Sequence, residues 1–179
     1  VIALDPATTN NTGSDETGIV VAGLGGDQRG YVLADESGKF RPEEWARRAI
    51  SLYDTFGADC IVAEVNQGGD MVEALIKAES RGRTIPVRKV TATRAKHVRA
   101  EPVAALYEQG KVRHADEFPA LEDQMCAFTV DFDRKAQGYS PDRVDALVWA
   151  MTELFPAMTT RAVDPSRFAI PKRRGWMSR

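Results

Sequence analysis

Val1-Ile2-Ala3-Leu4-Asp5-Pro6 opens the chain as a short apolar run that ends in a carboxylate and is stopped by proline. β-Branched residues at Val1 and Ile2, followed by the turn-rich stretch from Ala7 to Gly13, read as a buried strand that delivers one rigidly held acid to a loop. Taken alone, Asp5 would cap or turn that loop, as aspartates often do. Its significance depends on where the other acids of the chain fall.

Two more acids sit in apolar surroundings. Asp59-Cys60-Ile61-Val62-Ala63-Glu64-Val65 is a second buried-strand pattern, and a glutamate inside it is costly unless paired, protonated or bound to a cation. A strand edge facing solvent, or an ion pair with a basic segment, is the plainer account of Glu64. The third place is Ser140-Pro141-Asp142-Arg143-Val144-Asp145, which leads into a helical stripe of Val144, Leu147, Val148, Met151 and Phe155. Ser140 is expected as N-cap, Pro141 as first helical residue, and Asp142 as a first-turn acid favoured by the helix dipole. Asp142 and Asp145 lie about 60° apart on one flank of that stripe. Asp145 is too deep in the helix to serve as a cap.

Between these acids the pattern alternates. Thr17 to Gly25 and Gly30 to Asp35 read as strands joined by a hairpin turn at Gly26-Asp27-Gln28-Arg29, which with the first strand gives an antiparallel meander of three. Pro42 to Tyr53 is an amphipathic helix that ends near Gly57. After Glu64 come a helix from Met71, a strand over Ile85 to Val90 with Pro86 marking an edge or a start, and a helical stretch from Ala95 to Gly110 that Pro102 should kink or split. Lys111 to His114 is a short strand, Ala120 to Phe128 a short helix, and Asp131 to Gly138 a loop.

The chain of 179 residues, 43% hydrophobic and 28% charged, suits one globular domain. No run is long enough to span a membrane and no signal peptide opens the sequence, so the expected compartment is the cytoplasm. Cys60 and Cys126 stand in apolar surroundings and are expected as buried thiols, and two histidines make a histidine metal site improbable. Net charge is −2, yet residues 81–116 carry nine Lys/Arg against three Asp/Glu. That basic block is either a solvated helix face or a footprint for a phosphate backbone. Arg94, Lys96 and Arg99 are the candidate phosphate contacts, Lys96 and Arg99 sharing a helix face. The division expected is a domain over residues 1–158 and a basic tail over 159–179.

Asp5, Glu64 and Asp145 brought together would concentrate negative charge that only cations can offset. Oxygen-only ligands suit Mg²⁺ or Mn²⁺, and two such ions can activate a water and stabilise the leaving oxygen of a phosphodiester. The substrate would then be a polyanion.

The order of elements, with acids in these places, resembles the ribonuclease H-like α/β fold: a mixed sheet, flanked by helices, of an antiparallel three-strand meander plus parallel strands. Five blocks, Val1 to Pro6, Val62 to Gly69, Arg99 to Gly110, Leu121 to Met125 and Asp142 to Ala146, look like the nuclease domain of the large terminase subunit of tailed bacteriophages and prophages. The resemblance implies an endonuclease that cuts double-stranded DNA concatemers during genome packaging. It implies two divalent ions, with Asp5 and Glu64 as metal ligands and Asp145 favoured as the third, Asp142 supporting it or taking its place. It also implies partners: an N-terminal ATPase motor, a portal and a small terminase subunit, in the bacterial host cytoplasm. No phosphate-binding loop of the Gly-x-x-x-x-Gly-Lys-Ser/Thr type occurs, so the expectation is a nuclease domain without its motor.

Three other readings compete. A Holliday-junction resolvase shares the carboxylate logic. A sugar kinase or actin-like ATPase would use Asp5 to Gly13 as a phosphate loop, although that fold needs two such lobes. A DNA-binding or docking module would keep the acids without turnover.

Overall fold

Alternation along the strands decides the architecture. In the computed structural model, which describes residues 1–7, 16–65, 69–129, 131–132 and 134–159, six strands form one sheet. They are β1 (Ile2–Asp5), β2 (Gly18–Leu24), β3 (Gly30–Asp35), β4 (Ile61–Glu64), β5 (Val87–Val90) and β6 (Val112–His114), in the order β5-β4-β1-β2-β3-β6. β1, β2 and β3 pair antiparallel as a meander, while β4 runs parallel to β1, β5 to β4, and β6 to β3. This is the mixed α/β sheet that the resemblance implied. The turn between β2 and β3 closes with Gln28 N–H donating to the Gly25 carbonyl at 2.9 Å, and Gln28 takes a left-handed φ of 61° there.

Side chains of alternate sign enter two separate cores. Ile2, Leu4, Ile19, Val21, Ile61 and Ala63 face one layer, formed by α1 (Pro42–Phe56) and α2 (Gly69–Glu79). Ala3, Val20, Ala22 and Val62 face the other, formed by α3 (Lys96–Glu108), α4 (Pro119–Ala127) and α6 (Asp142–Leu154). Two four-residue helices, α5 (Arg134–Gln137) and α7 (Pro156–Thr159), complete the set. α1 begins as its sequence predicts, with Pro42 in the first turn and Glu44 accepting from Arg41 N–H, and ends on Gly57 at φ 57°.

Several expectations are corrected. Of the two outcomes expected of Pro102, a kink or a split, the split does not occur: α3 continues through it, although proline leaves a backbone acceptor without its helical donor. Packing supplies the reason, since Val103 and Leu106 from the second half are buried in the same core as α6. Ser140 is not the N-cap of α6: Pro141 stands there, and Arg143 N–H in the first turn donates instead to the Gln124 side chain from α4, at 3.2 Å. Cys60 is buried as expected, but Cys126 is exposed, because it lies on the outer face of α4. Within the expected loop from Asp131 to Gly138, residues 134–137 are helical. Of the expected tail, residues 160–179 lie outside the described residues. Among the described residues no helix is long and apolar enough to cross a membrane.

Candidate metal centre

Strand parity brings the first two acids to one side of the sheet. Leu4 pairs with Ala63 across parallel β1 and β4, so Asp5 and Glu64 are the next residues in register, and both point to the α6 face. Parallel neighbours ending together place two carboxylates at one sheet edge.

α6 crosses directly over that edge, and it can do so because small residues let it approach. Ala146 and Ala150 are fully buried on its underside. Opposite them stands Gly18, the first residue of β2: a Cβ there would lie 2.0 Å from the Asp142 carbonyl oxygen. The N-terminal turn is then fixed by Arg143. Its Nε donates to Glu16 at 2.9 Å, its Nη1 to Asp35 at 2.5 Å and its Nη2 to the Ser37 carbonyl at 3.3 Å. Charge-assisted bonds of this number hold the helix start against β3.

The result is a group of three carboxylates, Asp5, Asp142 and Asp145, with an oxygen of each within 4.8 Å of the others. Asp142 and Asp145 are buried, 6% and 3% exposed. Burial, then the charges of Asp145, Glu64 and Asp142, push the Asp5 carboxyl well above its usual range. Burial also raises Asp145, against the opposing effect of Lys96. Three hard oxygen donors, with no histidine or cysteine in the group among the described residues, are the donor set of Mg²⁺ or Mn²⁺, so these residues fit such an ion.

Glu64 stands beside this group rather than within it. Trp149 Nε1 donates to its Oε2 at 2.5 Å, and Arg99 Nη1 reaches the same oxygen at 3.2 Å. Arg99 Nη2 reaches Asp145 Oδ1 at 3.2 Å, and the guanidinium lies 4.7 Å from the centroid of the Trp149 ring. Lys96 donates to Asp145 Oδ2 and, at 3.3 Å, to Ser140 Oγ. Burial would lower the Lys96 ammonium, but Asp145, Asp5 and Asp142 hold it above its ordinary range. Lys96 and Arg99 therefore both meet carboxylates of the chain itself. Arg94 is exposed just outside α3.

Sequence reasoning did not single out Trp149, Arg143, Gln124, Glu16 or Gly18. Trp149 had a visible signal: it falls four residues after Asp145, and a buried indole N–H requires an acceptor. Gly18 and Glu16 had none, since their partners lie more than 120 positions away. Two clefts of about 550 Å³ flank α6 without enclosing the carboxylates. An apolar one is lined by Val103, Tyr107, Met125 and Phe128, and a polar one by Glu16, Lys39, Gln124 and Arg143.

A mixed sheet with this order, carrying an acid on each of two adjacent parallel strands and a pair on the helix above them, is a ribonuclease H-like domain. Residues 2–154 match the terminase RNaseH-like domain family, and the chain belongs to that family. Among solved structures it is similar to the large terminase nuclease from thermophilic phage G20c, with a TM-score of 0.61 and 19% identity over 85% of this chain and 80% of that one. It is also similar to the yeast mitochondrial Holliday junction resolvase Ydc2, with a TM-score of 0.53 and 15% identity over 89% of this chain and 79% of that one. At these identities the likeness is one of fold. No curated protein sequence matches the chain.

Proposed function

We propose that this chain is a metal-dependent endonuclease that cuts double-stranded DNA concatemers during phage or prophage genome packaging, in the cytoplasm of the bacterial host. The observation that carries this reading is the convergence of Asp5, Asp142 and Asp145 at the edge where β1 and β4 end together. Such a group holds charge that divalent cations offset, and the family membership gives that charge a nucleic-acid context.

Asp5, Asp142 and Asp145 would hold one Mg²⁺ or Mn²⁺, with Glu64 and Asp145 the candidates for a second. Bound there, such ions would make a water more acidic and offset charge on the leaving oxygen. The chain's own residues do the rest. Arg143 and Gly18 keep the α6 acids at a fixed height above β1. Arg94 and Lys96, the more exposed cations at the start of α3, face incoming phosphate, and Lys96 exchanges its carboxylate for it. An N-terminal ATPase motor, a portal and a small terminase subunit are the partners that this role requires.

Plasmid conversion in Mn²⁺, Mg²⁺ and EDTA tests the reading, with Asp5→Asn beside the parent and a four-way junction as second substrate. Metal-dependent nicking and linearisation of plasmid, lost in Asp5→Asn by a factor of about 10² or more, is the expected result. Preference for the junction would favour a resolvase, and DNA binding without cutting in either metal would favour a docking module.

A further inference from the structure

Arg99 is unlike the other cations of the basic block. Its side chain is 9% exposed, on a helix whose neighbouring Lys96 side chain is 43% exposed. Its two terminal nitrogens are divided between carboxylates from different elements, Glu64 on β4 and Asp145 on α6, each at 3.2 Å. The flat face of the guanidinium rests on Trp149, whose N–H holds the same Glu64 oxygen. Its Nε is buried with no hydrogen-bond partner among the described residues. A phosphate-gripping arginine is exposed and keeps its fork open to solvent. This one is enclosed, and its fork is already filled by the protein's own acids.

The position is informative because of what else would fit between those acids. Asp145 contributes to the three-acid group and at the same time bridges to Glu64 through Arg99. A cation bridging Glu64 and Asp145 is what a second divalent ion would be. We propose, resting on the nuclease reading above, that Arg99 is an internal cation standing in for the second ion, so that one divalent ion loads at Asp5, Asp142 and Asp145 by releasing only the half-exposed Lys96, and the second loads only by displacing the enclosed Arg99. Displacing Arg99 takes away a cation that Glu64 and Asp145 share, and a divalent ion held by the same two acids returns that charge. Arg99 is a positioning residue in this scheme: it keeps Glu64 and Asp145 aligned while the ion is absent, and it makes the two loading steps unequal.

Calorimetric titration of Mn²⁺ into the metal-free chain, without DNA, tests this independently of cutting. Two unequal steps are expected in the parent, the second weaker by about tenfold or more. In Arg99→Gln the second step should tighten towards the first, while the metal-free Tm falls and the Mn²⁺-induced rise in Tm grows. Arg99→Lys, which keeps the charge but cannot fork across both acids, should fall between the two, and it supplies the same comparison if Arg99→Gln does not fold. A second step that is unchanged or weaker in the folded variants would overturn the proposal. Two equal steps in the parent would overturn it while leaving the nuclease reading intact, whereas a parent that binds no Mn²⁺ would overturn both.

Discussion

Asp5 is held at an electrostatic cost that a cation removes. Its carboxyl sits well above the usual range because it is buried among Asp145, Glu64 and Asp142. A carboxyl raised in the folded state binds its proton more tightly there than in the unfolded chain. Its contribution to stability is therefore present below the ordinary carboxylate range and lost as pH rises through the elevated value. In EDTA, Asp5→Asn should be more stable than the parent near neutral pH, by roughly 1–3 kcal/mol, and the difference should shrink towards zero on acidification. Thermal melts from pH 4 to pH 8 would show it. Added Mn²⁺ should raise the parent's Tm and leave the variant's almost unchanged. The place of Asp5 was legible because a strand ending in an acid is a local pattern. The partners of Glu64 were not, since a strand pattern says that an acid is buried and not whether an arginine 35 positions away, or an indole 85 positions away, will meet it.

At the scale of elements, the site depends on how closely α6 approaches β2. The strands, the meander and the apolar stripe of α6 could be read from period alone, and all are present. What period could not give is the height of the helix above the sheet. That height is set by one missing side chain at Gly18 and by the ion pairs of Arg143 with Glu16 and Asp35. The helix start was misread for a related reason. Ser140 has the right chemistry for a cap, but α4 supplies Gln124 to the first turn and leaves the serine hydroxyl to Lys96. Gly18→Ala should fold with a loss of about 1–3 kcal/mol from overpacking, measured by urea denaturation. Cleavage should fall by more than the lost stability explains, because the displaced backbone carries Asp142.

Across the whole molecule, the basic block of the sequence is largely neutralised by acids from elsewhere in the chain. Arg83 pairs with Asp54, Arg88 with Glu153, Lys89 with Glu73, and Lys96 and Arg99 with the central carboxylates. A count of charges along the chain overstated the positive surface, since folding brings distant acids onto it. Duplex binding by the metal-free chain should accordingly be weak and only mildly salt-dependent. Fluorescence anisotropy between 50 and 200 mM salt should give a slope of log affinity against log salt of about −2 to −3, the release of two or three counterions. A slope steeper than about −6 would mean that DNA lies on a face other than the start of α3.

Gly18 also sets a rule of exchange between spacing and reach. A helix seated on bare backbone brings its acids so near that aspartate, the shorter of the two acidic side chains, is long enough to meet Asp5. Were the seat raised by a methyl group, the same meeting point would call for one more methylene on the acid. Gly18→Ala and Asp142→Glu should each impair the site alone and compensate in part together, so that the length of an acid on one element becomes a gauge of the gap left by a glycine on another.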